Sequence, residues 1–317
     1  MSEREIDPLT MAMPIIIIPV ERKPKKVLMA TSIILIFTLA IALVSSATID
    51  YFYGGQITEE AMPAKESEMG GEASILNLIY FLVMIFIVTI GIVMLIKYGK
   101  INILKAFMTV VVLLLIFTFT QIMVIFYQVY ILNGLYSLGV YFVANFAPFI
   151  IYISWFVVVV FSAIYILSVV RLKYLNSRNA ILMLNAVWAA VWLGWNSGIL
   201  TPIVILVGLA IYDLYSVFRG PLRNLTELLV HDEPGEELPR EHGVLIGLGD
   251  IFFYSFAIAY AYAVLNILEV AIIAIILYGG AILTFVLLLK FDVRALPALP
   301  IPILTSVLFI LLFLYVI

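Results

Sequence analysis

The sequence contains no cysteine. Disulfides, thiolate nucleophiles and cysteine-ligated zinc are excluded together. Histidine is nearly as scarce, with His231 and His242 the only two. They are too far apart for the HExxH pattern of a zinc-dependent protease. Both fall in a polar connector, so no apolar segment carries the imidazole that an intramembrane serine nucleophile needs. Charge is thin as well: 12% of the 317 residues are charged and 65% are hydrophobic. Soluble domains typically run near 25% charged and 45–50% apolar. The net charge is −3 and no basic stripe is present, so nothing points to nucleic acid.

What the sequence has in quantity is long hydrophobic runs. Mean hydropathy is +1.20, and stretches of roughly 18 or more apolar residues recur, each long enough to cross a bilayer. They are longer than barrel strands and lack the alternation of one, so they must be helices. The expected fold class is all-α, a polytopic membrane protein. Nine spans are expected, at about 27–48, 74–96, 104–128, 147–170, 180–198, 201–218, 243–264, 267–289 and 296–317. The organisation expected is a cytoplasmic segment over 1–26, a scaffold of five spans over 27–198, and four spans over 199–317 that include an inner loop at 219–242. Residues 132–147 are apolar too, but a further crossing there breaks the parity between the basic clusters on either side.

Those basic clusters orient the chain, because loops rich in Lys and Arg face the cytoplasm. Of 17 basic residues, only Lys65 falls on the far side of this layout. The N-terminus is therefore expected in the cytoplasm and the C-terminus on the far face. The early stretch "MAMPIIIIPV" is short and broken by Pro14 and Pro19. It fits neither a signal peptide nor a span and is expected to lie on the surface. The acidic connector over 49–73 reads as a solvated loop. Trp188, Trp192 and Trp195 read as packing or interfacial residues, and Gln121, Asn145, Asn185 and Asn266 as interhelical hydrogen-bonding groups.

Two acidic residues do not fit a solvated role. Asp213 and Asp250 lie inside apolar spans, where an ionisable group is costly and by default functional. Asp213 lies about five residues before the end of the sixth span, and Asp250 about seven after the start of the seventh. Both then sit roughly 7–11 Å from the same end of antiparallel helices, so they can face one another. Two close carboxylates in a low-dielectric setting do not both ionise easily and can share a proton. That state serves an aspartic protease, with one carboxylate as general base on water and the other polarising a carbonyl. A cation or proton transporter uses paired intramembrane carboxylates as well, and spacing alone leaves both open. Gly247 and Gly249 would let a substrate backbone approach closely. Tyr212 and Tyr254, beside and one turn beyond the aspartates, are candidate contacts, with packing equally open for Tyr254.

Three motifs decide the order of these readings. Tyr212–Asp213, the run Gly247–Leu248–Gly249–Asp250 and "ALPALPI" over 295–301 resemble the presenilin and signal peptide peptidase family of GxGD intramembrane aspartyl proteases. They occur in that family's order, on the sixth, seventh and ninth spans. The "GPLRNLTEL" stretch over 220–228 resembles the same family, and the detailed match covers about a third of the chain. The resemblance implies that Asp213 and Asp250 form a catalytic dyad, and that Pro297, Ala298 and Leu299 shape the substrate cleft beside it. It implies peptide substrates that are transmembrane helices, a bilayer setting, no cofactor and no metal. The loop over 219–242 is short and acidic, unlike the long maturation loop of eukaryotic presenilins. A prokaryotic homologue in the cell membrane, working without accessory subunits, is therefore expected. The alternatives are an ion channel or transporter built on the aspartate pair, and a scaffold that binds helices without cutting them.

Overall fold

The computed structural model describes residues 15–18, 24–170, 175–218, 244–291 and 297–315. The acidic loop with both histidines, the "GPLRNLTEL" stretch, most of the N-terminal segment and the first residues of the third motif lie outside these.

Many of the helix-forming residues are Ile and Val, which are mediocre helix formers in water. In an apolar setting each backbone amide must be satisfied within its own segment, and the helix wins regardless of side-chain propensity. Helix α1 is Pro24–Tyr53 and opens on proline, whose missing N–H costs nothing there. A single turn, α2 (Glu66–Met69), leads into α3 (Gly71–Lys97). Helix α4 (Ile101–Leu115) continues through a π turn, Ile116–Thr120, into α5 (Gln121–Ser137). A 3₁₀ segment, Tyr141–Phe149, runs into α6 (Ile150–Val170). Helices α7 (Leu175–Trp195) and α8 (Thr201–Phe218) follow. The last three are α9 (Leu248–Val264), α10 (Ile267–Phe291) and α11 (Pro300–Tyr315).

Each expected span overlaps a described helix, the third running through α4, the π turn and α5, but length and hydropathy mark fewer than nine of them as membrane crossings. Among the described residues, six segments are long and apolar enough to cross a membrane, while α9 and α11 are shorter apolar helices. The 3₁₀ segment has nine residues. At about 2.0 Å per residue it reaches roughly 18 Å, short of a hydrocarbon core of about 30 Å, so 132–147 adds no crossing.

Two expectations need correction. The fold is helical but carries a small antiparallel ribbon: β1 (Ile15–Ile18) pairs with β2 (Val244–Gly247), with Ile15 opposite Gly247 and Ile18 opposite Val244. The isoleucine stretch therefore has a partner and is not simply laid on a surface, in keeping with the strand preference of β-branched residues. The ribbon also shortens the seventh span. Residues 244–247 are extended and the helix starts at Leu248. Asp250 consequently sits in the first turn of α9, not two turns in.

Helix α9 is the centre of the bundle. Ile251 and every residue from Tyr254 to Ala261 are buried, and its main partner is α7, with α1 and α11 beside it. The α7–α9 approach depends on small residues, as is usual where helix backbones come close in apolar surroundings. A Cβ added at Gly194 would lie 2.8 Å from Ala259 Cβ. Gly194→Leu should therefore cost about 1–3 kcal/mol through overpacking, seen as a lower unfolding midpoint in detergent; an unchanged midpoint would show that the two helices can separate freely.

Trp188 and Trp195 are buried in the same core. Asn185 accepts a hydrogen bond of 3.0 Å from Thr120, tying α7 to the π turn. Asn266 has a different role from the interhelical one expected. It accepts from the amides of Leu268 and Glu269, and Glu269 returns a bond to the Asn266 amide, forming a capping box for α10.

Candidate active site

Three elements converge on the two aspartates. Asp213 lies near the end of α8, which leans on α3 and α11 and touches α9 only lightly. Asp250 is the third residue of α9. The third element is the turn 297–299, which leads into α11.

The position of Asp250 explains how a carboxylate survives in an apolar run. Gly247 is the N-cap of α9, with extended φ and ψ of −62° and 135°. From the third helical position the Asp250 carboxylate turns back toward Gly247. This is where the acid of a capping box stands, at the helix end where negative charge is favoured. Gly247 makes room for it, since an added Cβ there would sit 3.0 Å from Asp250 Oδ2. Gly249 is exposed and faces open space. The two glycines therefore differ: Gly247 clears the aspartate, and Gly249 keeps the approach to it open.

Asp213 is held against another helix start. Its Oδ2 accepts the Leu299 amide at 3.1 Å, and the Ala298 amide lies beside the same carboxylate. Pro300 then opens α11, with the pre-set φ that suits a first helical position. The other side of the turn is held by α9, because the buried Tyr254 hydroxyl donates to the Ala298 carbonyl at 2.8 Å. The turn 297–299 is thus bonded to the helices of both aspartates. The carboxylates are close enough for Asp213 to repel charge on Asp250, and the Tyr254 hydroxyl lies in the field of both.

The sequence-derived site residues come together with one partial exception. Asp213, Asp250, Gly247, Ala298 and Leu299 are linked by the bonds and clearances above, and Pro297 is buried in the same turn. Leu248 and Gly249 line a neighbouring cavity. Tyr212 is half-buried, and its hydroxyl has no hydrogen-bond partner among the described residues. No cluster of potential metal ligands occurs among the described residues. Sequence reasoning left Tyr254 undecided, because an aromatic one turn from an aspartate does not reveal a partner 44 positions away.

The cavity measures about 410 Å³ and lies between α3, α4, α7 and α9. Its walls are apolar apart from Asn185, and it reaches Gly249, the residue before Asp250.

The presenilin family model matches residues 229–317, which contain Asp250 and the turn 297–299. Over these residues the chain is similar to presenilins. Presenilin-B of Dictyostelium discoideum is 38% identical over 120 residues, which is 34% of this chain and 24% of that protein. The matched stretch thus spans about a quarter of that relative's length. A solved structure described as a presenilin family intramembrane aspartate protease superposes with a TM-score of 0.55, covering 90% of this chain and 98% of the other at 17% identity. At that identity the likeness is one of fold. The apolar helices together with this presenilin-type fold make the chain an integral membrane protein.

Proposed function

We propose that this chain is an intramembrane aspartyl protease of the GxGD type, hydrolysing peptide bonds within transmembrane segments. The observation that carries the reading is the shared turn: Leu299 donates to Asp213, while Ala298 accepts from the helix that bears Asp250. In this reading the ionised member of the Asp213–Asp250 pair takes a proton from water as the water oxygen attacks the scissile carbonyl carbon. The protonated member gives its proton to the carbonyl oxygen. Collapse of the tetrahedral diol breaks the C–N bond: the carboxyl that took the proton from water gives it to the departing amine, and the other, now ionised, takes the proton of one diol hydroxyl, which restores the starting pair.

Access follows from the neighbouring surfaces. The apolar cavity suits the side chains of a transmembrane helix. Strand β2, which runs straight into α9, offers backbone groups to a locally unwound substrate by strand addition. Gly249 leaves the space through which such a backbone reaches Asp250. The single chain acts without accessory subunits, in the cell membrane of a prokaryote.

The test uses the purified single chain in detergent with a single-pass substrate and reads product masses. Cuts inside the apolar segment support the proposal. An absence of product from a folded preparation, or an aspartate-dependent ion flux in liposomes without cleavage, overturns it. A smaller effect is expected at Tyr254. Tyr254→Phe removes one hydrogen bond to the turn and leaves the ring, so kcat should fall about 3- to 10-fold, the equivalent of a net hydrogen bond of roughly 0.5–1.5 kcal/mol. Unchanged turnover would show that the Ala298 carbonyl needs no tether.

A further inference from the structure

At the end of the bundle opposite the aspartates, helix α8 begins without a cap of its own. Leu200 and Ile199 precede Thr201 and have no side chain able to accept an amide. The Ser197 hydroxyl is turned back to the Leu193 carbonyl at 2.6 Å. The cap comes from 135 positions earlier in the chain. Glu66 Oε2 accepts the amides of Ile199 and Leu200, each at 3.0 Å, and Oε1 accepts the Thr201 amide.

This contact is built rather than incidental. Ser74 donates to Glu66 Oε1 at 3.1 Å, and Asn77 of α3 donates to Thr201 Oγ1 at 3.3 Å. Gly198, with φ of +79°, makes the approach possible, since an added Cβ would lie 2.9 Å from Glu66 Cδ. The connector before Glu66 is stitched to the same turn. The Thr58 amide donates to the Trp195 carbonyl and the Gly198 amide to the Thr58 carbonyl, both at 2.9 Å. Burial raises the Glu66 carboxyl, but the hydrogen bonds from Leu200, Thr201 and Ile199 outweigh it and hold the group below its usual range.

We infer that Glu66 is a positioning residue for the dyad: by capping α8 from the far end, it sets the height and rotation at which that helix presents Asp213. The inference rests on the protease reading above. Asp213 lies twelve residues beyond Thr201, roughly 18 Å along a rigid rod. Because α8 touches the Asp250 helix only lightly, packing between the two catalytic helices does little to fix that height. The knot of Glu66, Ser74, Asn77 and Thr201 couples it to α3 instead.

The test pairs kinetics with a distance. The chain has no native cysteine, so spin labels can be placed at Phe218→Cys and Met29→Cys, both exposed and outside the site. Glu66→Ala should shift or broaden the label distance and lower kcat about 10- to 100-fold, with KM within about twofold of wild type. Glu66→Gln, which keeps one acceptor oxygen, should restore part of both. Should the alanine variant fail to fold, Ser74→Ala, which loosens a single bond to the carboxylate, should give the same pattern more weakly. An unmoved label pair overturns the inference, whether or not kcat falls. A shifted pair in a protein whose wild type cuts nothing supports the anchor and sinks the protease reading, so the two failures are told apart.

Discussion

Asp213→Asn and Asp250→Asn should each lower kcat by roughly 1,000-fold or more, within or beyond the range of a lost general acid or base, while the protein stays folded. Asparagine retains a side-chain oxygen. At 213 it can still accept the Leu299 amide, now 3.1 Å from the carboxylate; at 250 it can still face the Gly247 amide. Each substitution also removes an ionisable group from an apolar setting, where such a group is costly. The unfolding midpoint should therefore be unchanged or higher, the usual direction when a site strained for function is relaxed. Cleavage assays and thermal unfolding on the same preparations check both halves. An asparagine variant with turnover near wild type would remove that aspartate from the chemistry.

Leu299→Pro is the second large effect expected. Proline has no amide hydrogen, so the 3.1 Å bond to Asp213 disappears. It also restricts the residue before it, and that residue is Ala298, whose carbonyl receives the Tyr254 hydroxyl. One substitution thus disturbs the turn's ties to both aspartate helices. A fall in kcat of about 100-fold is expected, the scale of a misplaced reacting group. The matching control is Leu299→Met, which keeps the amide and, being close in volume, costs less than about 1.5 kcal/mol in a packed site. The Leu299 side chain is buried, so the two variants separate loss of the amide from loss of packing. Equal turnover in both would show that the amide does not orient Asp213.

Much of this was legible in the sequence, for identifiable physical reasons. Span positions follow from hydropathy, which the bilayer enforces segment by segment. Depth on antiparallel neighbours brings Asp213 and Asp250 to one level even though hydropathy puts Asp250 two turns into a helix whose first turn it occupies. The stretch "VLIG" is as apolar as a helix end, and hydropathy does not distinguish a strand from a helical turn. Its strand partner Ile15–Ile18 lies more than two hundred positions away, beyond any local pattern. Glu66 was hidden for a related reason. It looks like one more acid in a solvated connector, and only folding reveals that its oxygens meet the amides of Ile199, Leu200 and Thr201.

The bond from Leu299 to Asp213 spans 86 positions, and this separation has a consequence for biosynthesis. Every helix from α1 to α8 precedes that amide in the chain, so each can enter the membrane and begin to pack while Asp213 has no partner from the turn. The geometry around Asp213 forms late, when α9 and the start of α11 arrive beside a scaffold already in place. A partly made chain therefore carries its first aspartate without the amide that orients it, so on the proposed reading a growing chain does not yet cut its neighbours during insertion.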